Sequence, residues 1–246
     1  MNVKRASVFA GSVGALAIAS MATADFQGMA WQSVDNFGNN GNGGDTYRIV
    51  AMMDLGDRLD AVAGNADQGL ALTSNGSFYQ NDAGGPTSKS INSAFFGFVP
   101  SLEWDSYVTI GALYQNGEPF GSNELNDVGI VWDDFEAGGD LYTDNGTWFV
   151  TPDQGQGEAI DHQGLWSADG YVGQGTGVLI AQVTVLGGDG LREGAGYFSA
   201  LLQGKLSDGS TWSASPTDFK YGGVIPAPGA LALLGLAGIA GRRRRR

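Results

Sequence analysis

VLIAQVTVL, running from Val178 to Leu186, is the stretch on which the fold turns. It is dense in β-branched residues and closes on Gly187-Gly188-Asp189-Gly190, a turn-forming run, so it predicts a strand. Working outward, similar runs recur at Thr46–Met53 (TYRIVAMM), Leu59–Ala63, Ser106–Leu113 (SYVTIGAL), Val128–Trp132, Thr147–Thr151 (TWFVT) and Tyr197–Leu206. Asp144-Asn145-Gly146, Asp169-Gly170 and Asp208-Gly209 punctuate them as turns, and Asn36–Asp45 (NFGNNGNGGD) reads as a polar loop. No internal segment holds a 3.6-residue apolar period. Many short strands with frequent turns predict an all-β, Gly-rich domain of β-sandwich or jelly-roll type.

Composition agrees with a folded domain. The 246 residues include 41 Gly and 7 Pro, yet 42% hydrophobic and 11% aromatic residues leave ample material for a core. The basic residues are polarised along the chain. Lys4 and Arg5 sit at one end and Arg242, Arg243, Arg244, Arg245 and Arg246 at the other. Between them only Arg48, Arg58, Lys89, Arg192, Lys205 and Lys220 offset all 26 acidic residues. Such a field repels nucleic acid, so no polynucleotide partner is expected. The absence of cysteine excludes disulfides, thiolate catalysis and cysteine-ligated zinc.

Both ends carry an address. Lys4 and Arg5 precede a small, apolar run from Val8 to Ala19, and Ala22-Thr23-Ala24 then supplies a small-x-small pattern before Asp25. That is the order of a secretory signal peptide over residues 1–24, with signal peptidase as the processing partner. At the other end, Val224–Gly241 has no charge and runs straight into the five arginines. As a helix it would reach about 27 Å, just short of a bilayer core. The arginines would stay on the cytoplasmic side and leave the acidic domain outside. The chain therefore reads as a leader (1–24), an extracytoplasmic β domain (25–223) and a C-terminal segment with a transmembrane helix (224–246).

Pro226-Ala227-Pro228-Gly229, then ALALLGLAGIAG, then RRRRR resembles the PEP-CTERM sorting signal of Gram-negative bacteria. Ala227 stands where that family usually has Glu. The stretches Gly56–Gly111 and Trp148–Ala159 are also similar to the body of other exported PEP-CTERM proteins. The resemblance implies an exosortase-type membrane protease as partner, anchoring followed by a cell-surface or extracellular location, and an association with extracellular polysaccharide. It implies no activity for the domain.

Chemistry-bearing residues are sparse. His162, beside Asp161, is the only histidine, and no G-x-S-x-G elbow accompanies it. A glycosidase needs two carboxylates, and Glu103, Glu118, Glu124, Glu136, Glu158 and Glu193 are available with nothing to single out a pair. Gly173-Gln174-Gly175-Thr176-Gly177 lacks the lysine and following helix of a phosphate loop and reads as a turn. Oxygen-rich clusters at Asn39–Asp45, Asp133–Glu136 and Asp140–Asn145 suit Ca²⁺ in ligand type, but without EF-hand spacing they read first as solvated turns, with Ca²⁺ the lesser alternative. No other cofactor is expected. Trp132 beside Asp133-Asp134, and Trp166 near Asp169, could stack on a sugar ring, whereas Trp148 within TWFVT reads as core. The expectation is a non-enzymatic surface or matrix protein. A carbohydrate-binding module is the alternative, and a secreted hydrolase is a more distant one.

Overall fold

The computed structural model describes residues 26–187 and 194–223. Ala22 and Ala24 of the leader, Asp25 at the expected cleavage site, Glu193, and the sorting segment from 224 to 246 lie outside the described residues. In chain order the first strands are β1 (Gly28–Val34), β2 (Asp45–Met52), β3 (Arg58–Gly64), β4 (Leu70–Ser74), β5 (Ser77–Phe78) and β6 (Tyr107–Val108). Next come β7 (Asn126–Val128), the single-turn helix α1 (Asp133–Glu136), β8 (Leu141–Thr143), β9 (Gly146–Phe149) and β10 (Ile160–Ser167). Last are β11 (Gly170–Leu186), β12 (Gly196–Ser199), β13 (Leu201–Lys205), β14 (Thr211–Ala214) and β15 (Phe219–Tyr221). The expected all-β class holds.

β11 organises one layer. Its 17 residues exceed the stretch read from sequence because the hairpin turn falls at Ala168-Asp169, placing the glycines beyond it opposite β10. The turn expected at Gly173–Gly177 is therefore strand. Small side chains suit that place, since a Cβ on Gly177 would overlap the Ala51 carbonyl and one on Gly175 would meet the Met52 Cε. Past Gly177, β11 changes neighbour and pairs with β2 from Gly177↔Met52 to Val185↔Asp45. β1 pairs with β2 along its whole length, and also with β10 through Trp31↔Trp166 and Gln32↔Leu165. The ladders β10–β1–β2–β11–β10 thus close on themselves, with β5 and β6 added along β11.

The other two sheets form a second layer. β15-β12-β4-β8 and β14-β13-β3-β9-β7 are successive halves of the same strand pairings. The chain passes from one to the other between β3 and β4, between β8 and β9, and at Ala200 between β12 and β13. Tyr197–Leu206, read as one strand, is for this reason two. Asp144-Asn145 likewise joins strands of different sheets rather than a hairpin.

A β-sandwich-like core fills the space between the layers. Ile49, Met53, Val178 and Ile180 from one side meet Leu59, Val62, Leu70, Leu72, Trp148, Phe198 and Leu202 from the other. Trp148 is fully buried, as read, and its indole N–H donates to the Thr109 carbonyl at 3.0 Å. Arg58 is buried at the edge of this core. Its Nε bonds Asp60 Oδ1 at 2.6 Å and its Nη2 donates to the Thr151 and Gln154 carbonyls.

Two other expected strands are cut short. Ser106–Leu113 keeps only β6, because the bulge in β11 lies opposite; the Thr109 and Gly111 amides still reach the Ile180 and Leu179 carbonyls at 2.9 and 2.8 Å. Val128–Trp132 stops at its first residue, where Gly129 turns the chain at φ 74° and Trp132 then opens α1.

Candidate functional site

The closed ladder has two faces, and strand alternation decides what each carries. Met29, Trp31, Ile49 and Ala51 point to the main core. Ala30, Val50, Met52, Leu165 and Leu179 form a separate cluster on the opposite face, completed by Leu113. One polar row crosses this apolar face. Gln32 pairs with Arg48, Arg48 with Gln182, and Gln182 with Tyr107, so four neighbouring strands align a Gln, an Arg, a Gln and a Tyr.

Arg48 is the centre of the row. Its Nε donates to Gln182 Oε1 at 3.0 Å, and the Gln182 amide in turn donates to the Glu103 carbonyl at 2.8 Å. Gln182 is fully buried, so the guanidinium is held by a fixed partner. Among the described residues no carboxylate lies within ion-pair distance of Arg48. Among the described residues the one ion pair is Arg58–Asp60. Tyr107 is also fully buried, and its hydroxyl has no hydrogen-bond partner.

Above the row opens a cleft of about 250 Å³. Gln32, Arg48 and Leu179 line it from the sheet, Asp161, His162 and Gln163 from β10, and Gly111, Leu113, Glu118 and Pro119 from the loop after β6. Asp161 and Glu118 are exposed. His162 is half-buried, with its Nε2 3.2 Å from the Gly177 carbonyl. Burial holds its pKa below the usual imidazole value and the Arg48 charge lowers it further, against the opposing pull of the Gly177 carbonyl and Asp161. The net direction favours the neutral imidazole. Burial raises Glu103, with Glu118 adding to the effect and Arg48 opposing it. Burial also pushes Tyr114, whose hydroxyl faces the guanidinium, up to about 12.

Other candidates from the sequence scatter. No hydroxyl nucleophile is among the hydrogen-bond partners of His162. Of the five glutamates among the described residues, Glu118 lines the cleft, while Glu103, Glu124, Glu136 and Glu158 do not. Among the described residues no three His, Cys, Asp or Glu side chains converge as a metal site. Asparagines of the Asn36–Asp45 loop donate within the loop, Asn36 to Gly44, Asn39 to Gly43 and Asn42 to Asn39, and beyond it, Asn36 to Thr46 and Asn42 to Tyr79; the Asn39 side-chain oxygen is buried without a partner among the described residues. Trp132 directs its N–H to Asp127 at 3.2 Å, not to Asp133 or Asp134. Trp166 stacks on buried Trp31 at 5.8 Å and 17°, and meets Tyr171, 63% exposed, at 4.8 Å and a tilt of 53°.

Arg48 was not singled out from sequence, although a lone base inside the apolar run TYRIVAMM is a signal of its own. No family model matches the chain, and no curated protein or solved structure matches it either. No helix among the described residues is long and apolar enough to cross a membrane.

Proposed function

We propose that the chain is a non-enzymatic exported protein, sorted through a PEP-CTERM-like anchor to the cell surface or extracellular matrix. One observation carries this reading: the order Pro226-Ala227-Pro228, an uncharged run to Gly241, and Arg242–Arg246 at the C-terminus of a chain with a signal-peptide-like leader. Signal peptidase would free the domain at Asp25, and an exosortase-type protease would act near Pro226. The domain between is suited to life outside the cell, with an acidic surface for solubility and a core closed by packing without cysteine.

A carbohydrate-binding module is the second reading, favoured by exposed Tyr171 beside Trp166 at the end of the β10–β11 hairpin. An aromatic surface of this kind can stack on a sugar ring.

The test is fractionation of the native cells, comparing the full chain with one lacking Arg242–Arg246. The reading expects the processed product of the full chain in the envelope or medium, and retention altered by the deletion. A full chain recovered wholly from the cytoplasm would refute it.

A further inference from the structure

We propose that the cleft over the polar row binds a small, singly charged carboxylate bearing a neighbouring hydroxyl or amino group, with Arg48 as the carboxylate anchor. The inference concerns the cleft alone and does not depend on how the chain is sorted.

A half-buried guanidinium loses hydration, and proteins usually offset that loss with a carboxylate partner. Arg58 follows the rule through Asp60; among the described residues Arg48 has no carboxylate at ion-pair distance, and Glu103 acts on it only from farther away. The Arg48 Nε contact to Gln182 fixes the plane of the guanidinium, and the Tyr114 hydroxyl facing it is a neutral partner that leaves the charge uncompensated. The fork of a held arginine fits the two oxygens of a carboxylate. The excess of acidic residues makes this pairing failure conspicuous, since partners for an arginine are plentiful in the sequence.

The rest of the lining narrows the ligand. Glu118 and Asp161 stand on the rim and repel a second negative charge, which disfavours phosphate and dicarboxylates. The same two carboxylates accept a hydrogen bond from a hydroxyl or ammonium on the ligand. Gln32, Gln163 and the His162 ring add donors and acceptors. Leu113, Leu179 and Pro119 cover an apolar part. A volume of about 250 Å³ admits a small molecule.

Calorimetry on the purified full-length protein, with lactate, alanine, succinate and inorganic phosphate as probes, tests this. Lactate or alanine should bind, and succinate and phosphate at least tenfold more weakly. Preference for alanine would identify an ammonium at the rim, and preference for lactate a hydroxyl; either supports the proposal. Arg48→Gln should weaken binding by tenfold or more while the melting transition is retained. Should that variant fail to fold, Asp161→Asn, at an exposed position, decides: it should narrow the gap between succinate and lactate. No binding of either monocarboxylate, binding indifferent to Arg48→Gln, or a selectivity unmoved by Asp161→Asn would each overturn the proposal.

Discussion

Replacing Asp105 by asparagine separates the cost of burying this carboxyl from the charge of the rest of the domain. Asp105 is fully buried between the turn Pro100–Trp104 and β6. Its Oδ1 accepts the Asn81 and Ser106 amides at 2.8 and 3.0 Å, and its Oδ2 accepts the Gly85 amide at 3.3 Å. Burial dominates those three donors and pushes its pKa up from 3.8 to about 8, with Glu136 adding a smaller push. The raised folded-state value fixes the sign. Below the unfolded pKa both states hold the proton and the contribution to stability is whole. As pH rises toward the folded value, the unfolded chain releases the proton first and stability falls. The slope is about 1.4 kcal/mol per pH unit, so moving from pH 5 to pH 7 costs roughly 2.7 kcal/mol from this group. In Asp105→Asn the amide oxygen can keep the Asn81 and Ser106 bonds, but the new NH₂ meets the Gly85 N–H, costing about 1–3 kcal/mol. Urea unfolding at pH 5, 7 and 9 reads both effects. The variant should be less stable at pH 5 and should gain steadily on the wild type up to pH 8. Parallel pH profiles for the two proteins would refute the reasoning.

Other expectations follow from the same packing. Arg58→Met strands the Asp60 carboxylate and the Thr151 and Gln154 carbonyls, and should cost about 3–5 kcal/mol in chemical denaturation. Trp148→Ala opens a cavity in the middle of the core and leaves the Thr109 carbonyl without its indole donor; a loss of about 3–5 kcal/mol is expected by the same assay. Gly177→Ala drives a methyl into the Ala51 carbonyl where β11 changes neighbour, and should lower the melting temperature by several degrees at least. Calcium added to the protein should leave the melting temperature unchanged, because among the described residues no three carboxylate or histidine side chains converge to hold it.

Much of the fold was legible because β-branched and aromatic runs bounded by turn formers mark β2, β3, β9, β12, β13 and the distal half of β11. The proximal half of β11 was hidden by its glycines, which suit a turn until β10 is set opposite them. β10 itself (IDHQGLWS) is too polar to announce a strand, and its join to β1 depends on Trp31 meeting Trp166 far away in sequence. The cleft was legible only in fragments. His162, Asp161 and Glu118 drew notice for their chemistry, but nothing local tied them to Arg48. Cross-strand register does that, by aligning Arg48 with Gln32 and Gln182 beneath the loop after β6. Loop placement and register are both non-local properties, and composition does not encode them.

Terminal-peptide mass spectrometry on the native protein, taken from the membrane, surface and medium fractions, tests the central claim most directly. The account predicts a mature chain that starts at Asp25 and ends near Pro226, without the arginines, outside the cell. A chain that keeps both Met1 and Arg246 in every fraction would contradict it.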